Sequence, residues 1–431
     1  MLGLVLTAGG ARGAYQAGVL KRLGEIPSLR QRPSPFALVT GASAGALNGT
    51  LLAAHGARFG EAADEIARLW SELRVEQVFR TDAVALARSG LRFGRDLAIG
   101  SLVGRTRTTG FLDTAPLARL VERIFPPRGI AQRIRAGHLY AVAVSATSYH
   151  SGRSFTFVQG RAGHPVWVKS RRLVLPVTLT PRHVLASAAI PIVFPPVRLD
   201  SGRGPLWFGD GGLRLVTPLS PAIRLGASHV LAVGVRSSGA AVALADEELG
   251  AARAVGDAGP RLACPPLAQV CGVFLNAIFL DHLDADLDHL RRMNELVASP
   301  LHAAQQSPVE GALAREPMRS VRPALVSPSE DLALVAQRFA HRMPRALRYL
   351  LEALGTPDAQ SADLMSYLLF DAAFTRALVE IGHRDAGARI DELEDLVRSA
   401  PGPDPAPPAR ARPRRAAAVG RRSGAPLHAP A

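Results

Sequence analysis

Short apolar runs alternate with helical patterns over the first 55 residues. Leu2–Thr7 and Phe36–Thr40 are continuous apolar runs, as expected of strands buried in a parallel sheet. Glycines follow each run, and the next segments, Ala14–Leu23 and Ser43–His55, have the spacing of helices. Strand, glycine turn and helix, repeated in this order, predict an α/β fold with a mainly parallel sheet.

The same pattern continues to about residue 237. Leu139–Ala146 and His229–Val235 are predicted to be buried strands, with a helix near Leu219–Leu225. Residues 59–125 are predicted to be mostly helical, with three glycines that make the middle of the stretch less regular. This stretch is the best candidate for a cap over a site, inserted into one α/β domain over residues 1–237.

Beyond this domain the pattern is helical. Val270–Val297 carries a helical stripe of apolar residues, and Asp331–Leu354 and Ala362–Ile381 are predicted to be further amphipathic helices. From about residue 399 the chain is mostly proline, alanine, arginine and glycine, so we expect disorder. The predicted organisation is the domain over 1–237, a helical region over 238–398 and a disordered tail over 399–431.

Composition and charge narrow the class of partner. The 431 residues are 48% hydrophobic and 20% charged, which is typical of a globular protein. The formal net charge is +15, and six arginines face one aspartate in the tail. Such a field attracts anionic lipid or nucleic acid, although arginines spread over solvated faces are the simpler interpretation. No stretch combines basic and aromatic residues, so we expect no nucleic-acid partner. Docking of the tail on an anionic membrane is a hypothesis.

The cysteines and the apolar segments bear on the compartment. Cys264 and Cys271 are too few for a disulfide framework or a four-cysteine zinc site, and we expect them to be small core residues rather than nucleophiles. Met1–Thr7 lacks a basic leader and is too short for a signal core. No apolar stretch approaches the roughly 20 residues that span a bilayer. We therefore expect a cytoplasmic protein without signal peptide or transmembrane segment, at most peripheral to a membrane.

The first motif is a G-x-S-x-G pattern, Gly41-Ala42-Ser43-Ala44-Gly45, between a predicted strand and a predicted helix. Ester cleavage by serine needs the hydroxyl held on a tight turn, and small residues on either side let the backbone bend there. The start of the helix also brings free N–H groups and the positive end of its dipole. The alternative is a close-packed corner with a buried, hydrogen-bonded serine.

The second motif, Ala8-Gly9-Gly10-Ala11-Arg12-Gly13, follows the first predicted strand. Its glycines allow backbone N–H donors to converge on the oxyanion of an acyl-transfer reaction. Because turns after neighbouring parallel strands lie at the same edge of a sheet, we expect this loop and Ser43 to meet. A nucleotide-phosphate cradle is the alternative, but the loop has neither G-x-G-x-x-G nor a Gly-Lys-Ser/Thr ending.

The third motif is Asp210-Gly211-Gly212, after the apolar run Leu206–Phe208. Serine at its free pKa is a poor nucleophile and needs a base within hydrogen-bond reach. An aspartate next to glycines can approach closely, because glycine has no side chain. An ordinary Asp-Gly turn is the alternative.

Taken in this order, the three motifs resemble those of the patatin-like phospholipase family. A fourth block, Ala186–Val197, is similar to the family's Ala-Ser-x-Ala-x-Pro-x-x-Phe-Pro-Pro segment. The resemblance covers residues 1–237 and, more loosely, the helices to about 398. Ala8 departs from it, since the family more often has a third glycine there. The fold that the resemblance implies is a three-layer α/β/α sandwich with a C-terminal helical region.

The resemblance also implies a lipid acyl hydrolase, acting on phospholipids, lysophospholipids or neutral lipid esters without metal or cofactor. Ser43 would be the nucleophile, and Asp210 would activate it directly, without a histidine. The residues implied for the oxyanion hole are Gly9, Gly10, Ala11, Arg12 and Gly13, and those that support the two other motifs are Gly41, Ala44, Gly45, Gly211 and Gly212.

Other chemistries stay open from the residues alone. A Ser-His-Asp triad needs a histidine after Asp210, and His229 comes soonest but begins a predicted buried strand. His282, Asp286 and His289 share a predicted helix face and suggest a metal site, although intervening leucines make a solvated face the simpler interpretation. The remaining alternatives are an acyltransferase or thioesterase with the same pair, and a non-catalytic lipid-binding or storage protein.

Overall fold

The computed structural model describes residues 1–81, 110–169, 171–202, 204–215, 217–237, 282–299, 319–345, 347–348 and 362–402. Several sequence predictions lie outside these residues. They concern residues 82–109 of the predicted cap, both cysteines, the first part of the predicted helix Val270–Val297 and the tail beyond residue 402.

One sheet forms the middle layer of the described residues. Its ten strands are β1 (Leu2–Leu6), β2 (Leu38–Ala42), β3 (Ala141–Ser148), β4 (Ser154–Gly160), β5 (Val168–Lys169), β6 (Arg172–Pro176), β7 (Val197–Asp200), β8 (Pro205–Gly209), β9 (His229–Val233) and β10 (Arg322–Val326). Strands β10, β9, β1, β2 and β3 lie side by side in this order and are parallel. Beyond β3 the sheet continues through β4, β6 and β5, while β8 pairs antiparallel with β3 and β7.

Helices cover both faces of the sheet. In the described residues the α-helices are α1 (Gly13–Gly24), α2 (Pro27–Arg30), α3 (Ala44–His55), α4 (Phe59–Ser71), α5 (Ala115–Ile124), α6 (Gly129–Arg135), α7 (Pro181–Ser187), α8 (Ser220–Leu225), α9 (His282–Ala298), α10 (Leu332–Arg338), α11 (Ala362–Leu368), α12 (Ala372–Ala388) and α13 (Ile390–Ser399). The strands and helices named above for the first 237 residues are confirmed, with ends shifted by at most two residues.

Side chains alternate between the two faces along each strand. Leu4 and Leu6 of β1 belong to a core that includes residues of α1, α3 and α12. Val5, between them, belongs to a second core with Leu225 of α8 and Leu287 of α9. The expected three-layer α/β/α arrangement is therefore confirmed, and every central strand is buried on both sides.

The C-terminal region contributes to the same sheet and core. Arg322–Val326 lies in the region predicted to be helical, and that prediction is wrong for this segment, because it forms β10 and pairs with β9. The predicted helix Ala362–Ile381 is two helices, since α11 ends at Leu368 and the side chain of Asp371 caps α12. Helix α12 packs on α1 so closely that Gly18 and Gly382 face the partner backbone. The chain beyond residue 237 thus shares a core with the residues before it.

Helix α4, at the start of the predicted cap, is part of the main helix layer. Phe59, Ala63 and Ile66 are buried in the core with α1. Among the described residues no helix combines the length and the apolar character needed to cross a bilayer.

Candidate active site

Ser43 lies on a sharp turn at the end of a central strand. β2 ends at Ala42 and α3 begins at Ala44, and Ser43 between them has φ 54° and ψ −125°. A non-glycine residue with positive φ is strained, which typically costs about 1–3 kcal/mol and is found most often at functional sites. The turn tolerates only glycine at position 45, because a Cβ there would collide with the carbonyl oxygens of Leu6, the last residue of β1, and of Thr7 after it.

The glycine-rich loop lies beside this turn. Gly10 has φ +54° and begins a 3-10 turn over Gly10–Arg12. Gly13 packs directly against Ala44, so the loop and the Ser43 turn are in contact, as parallel pairing of β1 and β2 predicts. Within the predicted oxyanion set, the N–H groups of Arg12 and Gly13 donate to carbonyls of the loop itself.

Asp210 is fixed by its backbone and one carboxylate oxygen. It follows β8, and its N–H donates to Ala189 O at 2.9 Å, while its carbonyl accepts from Thr147 Oγ1 at 2.8 Å. Its Oδ1 accepts from the N–H of Gly212 at 2.8 Å. A Cβ on Gly211 would strike Ser145 O and come within 3.2 Å of the Ala42 side chain, so this turn sits against the residue before Ser43.

The carboxyl of Asp210 is fully buried, and its surroundings change its acidity. Burial raises the pKa of Asp210 to about 7, against smaller lowering contributions from the Ser43 hydroxyl and the Gly212 N–H. Its Oδ2 is buried and forms no hydrogen bond of normal geometry within the described residues. Ser43 therefore lies near enough to the carboxyl for its hydroxyl to affect the pKa of Asp210.

Two residues of this neighbourhood were not predicted from the sequence. The Ser43 N–H donates to Ser187 Oγ at 2.9 Å, and the Ser187 hydroxyl donates to Ser145 O at 2.5 Å. The half-exposed Tyr149 places its hydroxyl against Gly209, next to Asp210. Burial and then the charge of Asp210 raise the pKa of Tyr149 to about 12. Ser187 lies in the Ala-Ser block quoted above, whereas no motif points to Tyr149.

An apolar pocket opens at Ser43. It holds about 610 Å³ of empty space open to solvent, and Gly10 and Ser43 form its polar part. Its walls are side chains of α4, α5 and α7 together with Phe194 and Phe370. A pocket lined mainly by apolar side chains that also reaches Gly10 and Ser43 suits a hydrocarbon chain ending in a reactive carbonyl.

The two alternative sites considered from the sequence are a Ser-His-Asp triad with His229 and a metal site on α9, and their surroundings differ from those of Ser43. His229 pairs with Leu2 at the start of the parallel strands, the edge opposite to Ser43 at the end of β2. On α9, the leucines at 283, 287 and 290 are buried as predicted, and Asp286 accepts a hydrogen bond from the Leu219 N–H. Within the described residues no three His, Cys, Asp or Glu side chains are grouped for a metal ion.

Comparisons with known proteins bear on the same region. The family model described as patatin-like phospholipase matches residues 4–223, just over half of the chain. No curated protein matches the chain. Among solved structures, VipD from Legionella pneumophila is 13% identical, with a TM-score of 0.27, over 88% of this chain and 66% of that one. The type III effector ExoU is 18% identical, with a TM-score of 0.25, over 57% and 44%.

A third structure, the ExoU–SpcU complex from Pseudomonas aeruginosa, is 14% identical, with a TM-score of 0.20, over 85% of this chain and 74% of that one. The chain spans 66% of the VipD chain and 44% of the chain in the first ExoU structure, which is less than two thirds of either. Likenesses at these TM-scores carry no functional argument.

Proposed function

The chain belongs to the patatin-like phospholipase family, and from this premise we propose that it is a lipid acyl hydrolase with Ser43 as nucleophile and Asp210 as base. One observation carries the proposal. A serine held on a strained turn adjoins a buried carboxyl whose pKa is raised to about 7 by burial, against a smaller lowering by the serine hydroxyl itself. A base with a pKa near the working pH suits general-base catalysis.

The reaction begins with transfer of the Ser43 hydroxyl proton to Asp210 while Oγ attacks the ester carbonyl carbon. The tetrahedral intermediate expels the alcohol, which takes the proton from Asp210, and an acyl ester on Ser43 remains. A water molecule then loses a proton to Asp210 and attacks the acyl carbon. Collapse returns the proton to Ser43 and releases the fatty acid, so the enzyme ends as it began.

Negative charge on the carbonyl oxygen needs donors that are already in place. The N–H groups of Gly9, Gly10 and Ala11 are the donors we assign, because those of Arg12 and Gly13 are used within the loop. Helix α3, twelve residues long, begins directly after Ser43 and adds the positive end of its dipole. One such donor contributes about 3–4 kcal/mol to transition-state stabilisation in serine hydrolases.

The pocket at Ser43 supports the class of substrate that we propose. Leucines, valines and phenylalanines line it, so burial of an acyl chain there contributes about 0.8 kcal/mol for each methylene. We therefore propose a glycerolipid or lysolipid ester as substrate, with its acyl chain in the pocket and its alcohol portion toward solvent. Reaching such a substrate requires peripheral contact with a lipid surface.

Hydrolysis of a panel of phospholipids, lysophospholipids and acylglycerols tests the proposal. Ser43→Ala and Asp210→Asn should each lower kcat on the order of 10³-fold or more, and a fluorophosphonate probe should label Ser43 in the wild type. Asp200→Asn is the matched control, because Asp200 also accepts a hydrogen bond from the N–H two residues on but is exposed. Folded wild type that neither hydrolyses the panel nor labels at Ser43 would favour a lipid-binding role instead.

A further inference from the structure

The segment 362–370 packs on the glycine-rich loop from far along the chain. It comprises α11 and the two residues after it, and it lies outside residues 4–223 that the family model matches. The backbone contact is direct, because a Cβ on Gly10 would come within 2.5 Å of Tyr367 O. Phe370, at the end of the segment, lines the same pocket as Gly10 and Ser43.

Arg12 is the link between the loop and this segment. Its side chain is 3% exposed, and its guanidinium donates to Asp363 Oδ1 and to Ser366 Oγ, each at 2.7 Å. The guanidinium carbon also lies 4.5 Å from the centre of the Tyr367 ring. The charge of Arg12 is therefore neutralised and hydrogen-bonded by residues about 350 positions later.

A buried guanidinium cannot stay in place without these partners, because an unpaired charge in the interior is strongly unfavourable. Arg12 ends the 3-10 turn that begins at Gly10, and its N–H closes that turn on Gly9 O. Movement of the Arg12 side chain toward water would consequently displace the Gly10 and Ala11 amides. A misplacement of about 1 Å in a catalytic group can cost on the order of 100-fold in rate.

We propose that Asp363 and Ser366 are positioning residues, which fix the oxyanion donors of Gly10 and Ala11 by holding Arg12. This inference rests on the function proposed above. It assigns part of the active site to residues beyond the region that the family model matches. The oxyanion donors act only when charge develops on the substrate oxygen. Loss of Asp363 or Ser366 should therefore slow the reaction even in protein that is folded.

Kinetics on a soluble ester, p-nitrophenyl butyrate, test the inference with the full chain. Asp363→Ala should lower kcat about 100-fold and Ser366→Ala about tenfold, with little change in KM. Asp363→Glu should recover most of the loss, because it keeps a carboxylate. Glu330→Gln is the matched control, since it breaks an Arg–carboxylate pair with Arg384 at 2.6 Å in the same C-terminal region without touching the loop.

The rate constant for labelling of Ser43 by a fluorophosphonate separates positioning from folding. It should fall in parallel with kcat in the Asp363 and Ser366 variants, and it is independent of how much protein is folded. Unchanged rate constants with a smaller labelled fraction, or a raised KM with unchanged kcat, would overturn the positioning role. Failure of the wild type to label Ser43 would instead remove the proposed function, and this inference with it.

Discussion

Ser187 anchors the backbone of Ser43 from 144 residues away. Its hydroxyl accepts from the Ser43 N–H and donates to Ser145 O on β3, so one side chain joins the strained turn to the neighbouring strand. Strained backbone persists only where the surroundings over-determine it. The two hydrogen bonds of Ser187 therefore help to hold φ at 54° in the residue that we propose as nucleophile.

Ser187→Ala should lower both stability and catalysis. It removes the hydrogen bond to Ser145 O and leaves the buried Ser43 N–H without its partner, which costs about 1–3 kcal/mol. It also frees the turn, so kcat should fall about tenfold. Urea unfolding and ester hydrolysis measure the two effects. Ser154→Ala is the control, because the hydroxyl of Ser154 is equally buried but forms no hydrogen bond within the described residues. Equal effects of the two substitutions would contradict the anchoring role.

The positions of Ser43 and of the glycine-rich loop could be predicted because both depend on local patterns. Each follows an apolar run of strand length, and parallel strands bring the turns at their ends to one edge of the sheet. The close packing of the Asp210 turn on β3 is likewise encoded in the sequence, because Gly211 has no side chain and lets the backbone lie against Ser145 O. These features can be predicted from the order of the strands and the sizes of the residues alone.

What the sequence did not reveal depends on contacts between distant segments. The pairing of Arg12 with Asp363 and Ser366 leaves no periodic pattern, and Ser187 shows no signal beyond its block. β10 was missed because Arg322–Val326 is short and contains Pro323, which argues against a central strand. The segment lies at the edge of the sheet, where a proline is tolerated.

Activity should depend on the ionisation of Asp210. A base must be deprotonated to accept the Ser43 proton, and burial raises the pKa of Asp210 to about 7. The value of kcat/KM should therefore rise about tenfold per pH unit below pH 7 and level off above it. A pH profile of ester hydrolysis measures this, with Asp200→Asn expected to match the wild type. A flat profile between pH 5 and 8 would count against Asp210 as the base.

The same carboxyl should make stability depend on pH. The pKa of Asp210 is higher in the folded protein than the ordinary aspartate value of 3.8, so the folded state holds the proton more tightly. The stabilisation from this group is complete below pH 3.8 and is lost as the pH rises through about 7. Asparagine does not titrate, so the stability of Asp210→Asn relative to wild type should be greater at pH 8 than at pH 5. Urea unfolding at both pH values checks this sign, and equal differences would refute it.

The contact between α1 and α12 should be intolerant of even one methyl group. A Cβ on Gly382 would collide with the carbonyl oxygen of Tyr15, which is backbone and cannot turn aside. Gly382→Ala should therefore destabilise the protein by about 1–3 kcal/mol in urea unfolding. Gly387→Ala in the same helix is the control, because its Cβ would meet only the flexible Arg22 side chain at 3.3 Å. The control should be neutral or slightly stabilising, as alanine favours helix.

Chain-length preference should respond to the size of the pocket. Leu120 of α5 is buried and lines the space that opens at Ser43, so Leu120→Trp should displace the far part of a long acyl chain. Loss of two buried methylenes costs about 1.6 kcal/mol, or more than tenfold in kcat/KM. The palmitate ester of p-nitrophenol should be affected to this extent and the butyrate ester hardly at all. Leu296→Trp, at an exposed leucine of α9, should change neither. Equal losses for both esters would mean that the chain binds elsewhere.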